Sequence, residues 1–324
     1  MEYNYLLLYG NKKMEDNICI PFMFDNIEQI PLGWIDKDKI NIKKIIDKNI
    51  KENNIKQFIF WGLEVGWKDV IKNVKNEHND IKIKVICNTS DALLYYDYER
   101  ENFFDLLELS KQKYIDDIAF LKKGTYEVYR KLGYECSYIL ENIILSADKI
   151  NIENKENEKA LNIGIYPLNY TWDKNIYNQL SVGKFIEKSN INYQLLDKKM
   201  AEFLRIMKID SNPDEIKEMD AYKIASIISK NDINISCNFT DYVHPIALIS
   251  MECGIPCIIG DNSELYSDTL KDYLIVHSED NPVKIYSKIE KAIKDKEEII
   301  IEYIKWKLEY NIRSKNSIEL FINK

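Results

Sequence analysis

Short apolar runs rich in β-branched and aromatic residues alternate along the first half of the chain with longer segments whose apolar positions recur every three or four residues. The short runs predict strands at 3–10, 57–62, 83–88, 117–122 and 136–141, and the longer ones predict helices at 40–53, 68–77, 99–113 and 124–132. Strand then helix, repeated, implies a parallel sheet with helices on both faces. Residues 146–160, SADKINIENKENEKA, carry no apolar stripe long enough to bury and mark a domain boundary. The pattern then restarts. It predicts a strand at 161–166, a helix at 173–189, a strand at 191–196, helices across 198–230 and a strand at 233–239. A helix opening at Pro245, a strand at 256–260, a short helix from Ser263, a strand at 273–277 and a long charged helical tail complete it.

The fold class is therefore α/β: two Rossmann-like, doubly wound domains in tandem, facing each other across a cleft. In such sheets the working surface lies outside the carboxyl ends of the strands. The expected lining comes from the loops 10–12, 62–67, 88–96, 167–174, 240–245 and 260–264.

Composition narrows the classes. With 324 residues there is room for two cores, and 45% hydrophobic with 30% charged residues is an ordinary soluble globular balance. The 45 basic and 53 acidic residues give a net charge of -8 without long blocks of either sign, which argues against a broad nucleic-acid surface. The opening MEYNYLLLYGNKK lacks the basic flank and apolar length of a secretion signal and reads as a first strand. No window approaches the roughly 18 apolar residues of a membrane span. The expectation is a soluble cytoplasmic protein, with peripheral membrane contact left open and oligomeric state unspecified. Six scattered cysteines and three histidines write neither a zinc site nor a redox pair, so no metal is expected. Glycine is scarce: roughly 7% usage would exceed twice the 10 present.

Neither half carries a G-x-G-x-x-G fingerprint or a P-loop; the nearest stretches are GLEVG at 62–66 and GNKK at 10–13. The most ordered segment is DYVHPIALISMECGIPCIIG, 241–260. Proline at the first helical turn loses no needed N–H, so Pro245 starts a helix with His244 at its cap, and Gly254 and Pro256 end it. The N–H groups at 244–247 then suit an anion such as a diphosphate. On the same rim, Lys174 is expected to open a helix just beyond strand 161–166.

The tract IGIYPLNYTWDKN, together with INISCNFTDYVHPIALISMECGIPCIIGDNSELY and the strand-plus-long-helix tail, resembles the donor half of GT-B glycosyltransferases. More narrowly, it is similar to the large retaining group that uses nucleotide-diphosphate sugars. The likeness spans about residues 160–320, with a weaker echo in GYECSYILENI at 133–143. That family places an Arg, and a Lys five residues on, after the first strand of this domain, and two acidic residues eight apart before and within the helix ending in Cys-Gly-x-Pro. This chain keeps half of each pair. Lys174 matches the lysine, while Asn169 stands at the arginine position; Asp241 stands at the first acidic position, while Ile249 replaces the acid that usually holds the donor ribose. Glu252 is three residues further round the helix and faces elsewhere.

The resemblance implies a nucleotide-diphosphate sugar as substrate, no cofactor or metal, a glycan, lipid-linked or protein acceptor, and a retaining outcome. It implies a catalytic pair of Asp241 and Lys174. Donor binding falls to Asn169, Lys174, Asn175, Thr240, Asp241, Val243, His244, Pro245, Ile246, Ser263 and Glu264. On the acceptor side stand Gly62, Trp67, Asn88, Tyr95 and Tyr96, with the aromatic rings offering faces for sugar stacking. The domains are 1–150 (acceptor side) and 160–305 (donor side). The terminal helix, 306–324, either crosses back to the first domain or packs on its own. The rival reading is an inactive glycosyltransferase-like subunit that stabilises a partner enzyme; a sugar-nucleotide epimerase is weaker, since its acidic, histidine-rich cleft is missing.

Overall fold

A computed structural model describes residues 5–10, 29–32, 39–63, 66–140, 143, 160–167, 169–214, 221–240, 245–262, 264–266 and 268–324. The chain divides into two compact units, Met1–Asn142 with Ile312–Lys324, and Ile143–Asn311.

In the first unit the described elements are β1 (Tyr5–Gly10), β2 (Gln29–Leu32), α1 (Lys39–Glu52), β3 (Gln57–Trp61), α2 (Trp67–Glu77), β4 (Lys82–Cys87), a 3-10 turn (Asp91–Tyr95), α3 (Asp97–Lys111), β5 (Asp117–Phe120), α4 (Lys123–Lys131) and β6 (Cys136–Tyr138). The sheet is parallel in the order β2-β1-β3-β4-β5-β6. Phe58, Ile59 and Phe60 on β3 are all fully buried, as a parallel strand covered on both faces requires. The stripe Trp67, Val70, Ile71 and Val74 seats α2 on this sheet.

The second unit runs β7 (Leu161–Ile165), a 3-10 turn (Trp172–Lys174), α5 (Ile176–Ser181), a 3-10 turn (Val182–Phe185), β8 (Ser189–Gln194), α6 (Lys198–Met207), β9 (Ser211–Asp214), α7 (Ala221–Ile228) and β10 (Ile233–Ser236). It continues with α8 (Pro245–Glu252), β11 (Cys257–Gly260), α9 (Asp268–Leu274), β12 (Ile275–Val276), α10 (Pro282–Lys294) and α11 (Lys296–Asn323). Its parallel sheet has the order β12-β11-β10-β7-β8-β9. Counted within the unit, this is the 3-2-1-4-5-6 order of a doubly wound nucleotide-binding sheet. The order reverses between β7 and β10.

Four sequence expectations need correction. Strands β2 and β9 are not anticipated by the hydrophobic pattern, and β9 interrupts the stretch 198–230 expected to be helical. Both are edge strands carrying a proline, Pro31 and Pro213, and proline is tolerated in a sheet only where its missing donor faces away from a neighbour. The helix expected at 173–189 is broken into a turn, α5 and a second turn. Asn175 adopts a left-handed φ of 51°, and at Gly183 a Cβ would lie 2.7 Å from Ile209 and 3.0 Å from Ile191. Lys174 therefore closes a 3-10 turn and does not open a helix. The strand expected at 273–277 shrinks to Ile275–Val276, because α9 runs through Leu274. Residues 264–266 are not helical, so that helix begins at Asp268; Ser263 lies outside the described residues.

The helix predicted from Pro245 is α8. It ends as its sequence dictates: Gly254 takes a φ of 71°, and the Ile255 N–H reaches back to the Ser250 carbonyl at 2.9 Å. The final helix α11 is 28 residues long and contributes to both units, to Asn311 in the second and from Ile312 in the first. Where the chain enters the second unit, the Asn311 amide grips Ile143, accepting from its N–H at 2.9 Å and donating to its carbonyl at 2.7 Å.

Candidate functional site at the switch point of the second sheet

Ligands of doubly wound sheets bind outside the strand ends where the order reverses. In the second unit these ends belong to β7 and β10, and the loops that follow them are cross-linked. The Phe239 N–H donates to the Asp173 carbonyl at 2.8 Å, and the Thr240 hydroxyl donates to the Asp173 carboxylate, also at 2.8 Å. The Asn175 amide donates to the Cys237 carbonyl at 2.9 Å and to the Glu279 carbonyl, which adds the segment after β12. Gln179 completes the tie, donating to the Lys174 carbonyl at 2.7 Å and accepting from the Cys237 N–H at 3.1 Å. The left-handed turn at Asn175, tolerated by asparagine, aims this amide inward.

Asp173, Lys174 and Asn175 are 2%, 9% and 5% exposed. The Lys174 ammonium stands 3.3 Å from the Asp173 carboxylate. Burial pushes the Asp173 carboxyl up, but hydrogen bonds from Thr171 and Thr240 and the adjacent Lys174 charge outweigh it and leave its pKa below the ordinary value. The site thus holds a carboxylate and an ammonium in one partly dehydrated network, stiffened by main-chain bonds.

Of the expected donor residues, Lys174, Asn175 and Thr240 are brought together here through Asp173. Asn169 lies on the same loop, exposed, with its amide oxygen 2.6 Å from the Thr171 hydroxyl, for whose single proton it competes with Asp173. Pro245 is half-buried at the start of α8, the Ile246 side chain packs in the core at 3% exposure, and Glu264 is exposed after β11. Asp241, Val243, His244 and Ser263 lie outside the described residues. Ile249 is fully buried. Glu252, whose side chain is 4% exposed, accepts from the Tyr303 hydroxyl at 2.7 Å and pairs with Lys307 at 2.6 Å, so it serves the packing of α11.

On the first unit, Gly62 and Asn88 meet at the ends of β3 and β4, where a Cβ on Gly62 would lie 2.9 Å from the Asn88 amide oxygen. Tyr95 is 71% exposed and packs edge-on against Tyr96 with ring centroids 5.5 Å apart. Trp67 is a correction: it is fully buried, 5.1 Å edge-on from Phe60, and offers no face to a sugar.

Among the described residues, Asp47, Glu77 and His78 are near enough together to share a cation. The Lys43 ammonium already supplies one, 2.8 Å from Asp47 and 2.6 Å from Glu77.

Sequence reasoning missed Asp173, Gln179 and Glu279, and it missed an aromatic cavity beside them. That cavity has a volume of about 470 Å³ and is walled by Tyr170, Trp172, Tyr177 and Phe239, with Thr171, Asn175, Ile176 and Asn178 between the rings. Its signal was present as three aromatics in the eight residues YTWDKNIY, immediately after a strand.

No family model matches the sequence, and no curated protein matches it. Solved structures do. The N-terminal domain of Candida albicans trehalose-6-phosphate phosphatase superposes with a TM-score of 0.68 at 10% identity, over 98% of this chain and 96% of that one. Anabaena HepE in complex with UDP and glucose gives 0.67 at 8% identity over 98% and 99%. Sucrose-phosphate synthase from Thermosynechococcus elongatus gives 0.65 at 8% identity over 98% and 94%. At these identities the likeness is one of fold: two Rossmann-like domains in one chain, the GT-B fold.

Proposed function

We propose that the protein is a glycosyltransferase that moves a sugar from a nucleotide-diphosphate donor to a glycan, lipid-linked or protein acceptor, with retention and without a metal or other cofactor. The observation that carries this reading is the buried Asp173–Lys174–Thr240 network at the point of strand-order reversal, on a fold that HepE uses with UDP and with UDP-glucose.

Breaking a glycosidic bond to a diphosphate needs the departing charge stabilised as an oxocarbenium-like centre forms. In this reading Lys174 supplies the positive charge to the diphosphate, preorganised by Asp173, and the first-turn N–H groups of α8 add to it. Asp241 and His244 address the sugar and its phosphate. Asn175 holds the two loops in register and exposes no spare charge. No helix among the described residues is long and apolar enough to cross a membrane, and the reading places the reaction in the cytoplasm with a soluble donor.

One observation favours the inactive-subunit alternative: Ile249 occupies, fully buried, the place of a ribose-binding acid. Thermal shift against a panel of nucleoside diphosphates separates the two. Ligand at a hundred times its dissociation constant adds about 2.7 kcal/mol. A shift with one nucleotide, followed by donor hydrolysis or transfer, supports the enzyme; no shift with any nucleotide overturns it in favour of the subunit.

A further inference from the structure

We propose that the aromatic cavity formed by Tyr170, Trp172, Tyr177 and Phe239 is a subsite for an uncharged pyranose ring of a glycan acceptor. Its place in a transfer reaction rests on the reading above; its affinity for a pyranose does not.

The cavity is built from exposed rings fixed by buried structure. Trp172 is 54% exposed, and Tyr170 and Tyr177 are each 38% exposed. Trp172 stacks on Phe239 with centroids 6.1 Å apart and an interplanar angle of 28°. The main chain of Phe239 is in turn bonded to that of Asp173, next in sequence to Trp172. The same cross-loop bond that closes the switch point therefore holds the two halves of this platform together. Tyr177 is braced edge-on against Phe203, 5.1 Å away.

The lining selects among ligand classes. None of the eight lining residues is charged, so a phosphate or carboxylate would enter without a counter-charge. A nucleobase favours a slot between parallel faces, but Tyr170 and Tyr177 meet at 82° and Trp172 already lies against Phe239. An acyl or prenyl chain would bury polar groups without partners. The Tyr170 and Tyr177 hydroxyls bond each other, which uses one of their two protons and leaves the second to donate. Hydrogen bonding to Tyr170, with burial, raises the Tyr177 pKa to about 12, so the Tyr177 phenol stays protonated at neutral pH. The Asn178 amide gives one N–H to Asn175 and retains its other donor and its carbonyl. A pyranose answers each condition. It is neutral, has an apolar C–H face for one aromatic plane, and carries a rim of hydroxyls for the phenol and amide. The volume lies within the range of small-molecule sites.

The test uses the full chain and a panel of methyl pyranosides and short oligosaccharides of the common hexoses, hexosamines and deoxyhexoses. Binding is read by ligand-observed NMR and by tryptophan fluorescence, with Trp172→Ala and Tyr170→Phe as variants. We expect saturation to pass most strongly to the axial C–H protons of at least one saccharide. Affinity should fall about tenfold in Trp172→Ala, the upper range for one aromatic contact, while melting and nucleotide-induced thermal shift stay unchanged. Trp172 is exposed, so the variant folds; Tyr170→Phe, which removes only a hydroxyl, gives a smaller loss and guards against a packing artefact. Saccharide binding that persists in the presence of UDP-sugar assigns the ring to the acceptor, and competition by UDP-sugar but not by UDP would assign it to the donor and overturn the acceptor claim. Absence of binding across the panel, equal binding to Trp172→Ala, or loss in that variant of nucleoside or lipid binding alone would each overturn the proposal. A nucleotide shift without saccharide binding would sink this subsite and leave the transferase reading standing; saccharide binding without a nucleotide shift would do the reverse.

Discussion

The Thr240 hydroxyl donates to the Asp173 carboxylate at 2.8 Å, joining the loops that follow β7 and β10, and the same carboxylate stands 3.3 Å from the Lys174 ammonium. Sequence alone makes Lys174→Ala a clean catalytic lesion. Burial of its partner changes that, because removing one member of a buried pair leaves an uncompensated charge at a cost of about 3 kcal/mol. Lys174→Ala should therefore lose both turnover, by about 10² to 10³, and stability. The double variant Asp173→Asn/Lys174→Met should regain stability relative to the single one and no turnover. Denaturant unfolding and a transfer assay on the three proteins decide it, and unchanged turnover in Lys174→Ala removes the lysine from the mechanism.

Lys84 gives a pH-dependent prediction. It lies on β4 at 1% exposure, and its ammonium donates to the carbonyls of Phe321, and of Ile322 at 3.1 Å, in the last turn of α11. Such carbonyls lack helical partners and attract cations. Burial nevertheless lowers the Lys84 pKa from 10.5 to about 8. Between these values the unfolded chain binds a proton that the folded chain has released, so stability rises with pH across that window. The stability difference between wild type and Lys84→Met, measured by denaturant unfolding from pH 7 to 11, should shift in favour of wild type as the pH climbs from 8 to 10.5. A difference constant with pH would show that Lys84 does not titrate there.

The alternation of strands and helices was legible because a buried parallel strand such as β3 reads as a near-continuous apolar run and helices such as α2 keep a clear stripe. The edge strands were not legible: β9 reads Ser-Asn-Pro-Asp, formed by pairing with β8 and not by any apolar pattern. At the site, Lys174 stood out as a cation after a strand, whereas its dependence on Asp173 and the bridging role of Asn175 are tertiary facts. The left-handed turn that aims Asn175 has no periodic signature. The aromatic cavity was visible only as composition, since 22 tyrosines diluted the signal of any one.

Glu252 separates packing from donor binding. Its side chain holds Tyr303 and Lys307 on α11 and is 4% exposed. Glu252→Ala leaves a buried phenol and an ammonium short of a partner, so stability should fall by about 2 to 4 kcal/mol. The dissociation constant for any nucleotide, measured by calorimetry below the melting transition, should not change. A weakened nucleotide affinity in a folded Glu252→Ala would return this residue to the donor site.

Gly164 on β7 lies under a buried polar network, and that makes it the least replaceable glycine near the site. A Cβ there would fall 2.0 Å from the Asn234 amide oxygen and 2.3 Å from the Asn231 amide nitrogen. Asn231 donates to Asn234 at 2.8 Å, Asn234 to the Ser250 hydroxyl at 2.7 Å, and Ser250 to the Ile255 carbonyl at 2.7 Å. This relay links β10 to α8 and to the turn that ends it, so displacing Asn234 disturbs the helix whose first turn faces the switch point. Overpacking and a broken buried bond together should cost Gly164→Ala about 3 kcal/mol. Asn234→Ala alone should also destabilise, by removing the buried bonds that Asn234 accepts from Asn231 and donates to Ser250. In the double variant the methyl takes space vacated by the amide, so the two costs should sum to more than the observed loss, by about 1 kcal/mol or more. Denaturant unfolding of the four proteins measures that coupling. Additive costs would mean that Gly164 is required for a reason other than the approach of Asn234.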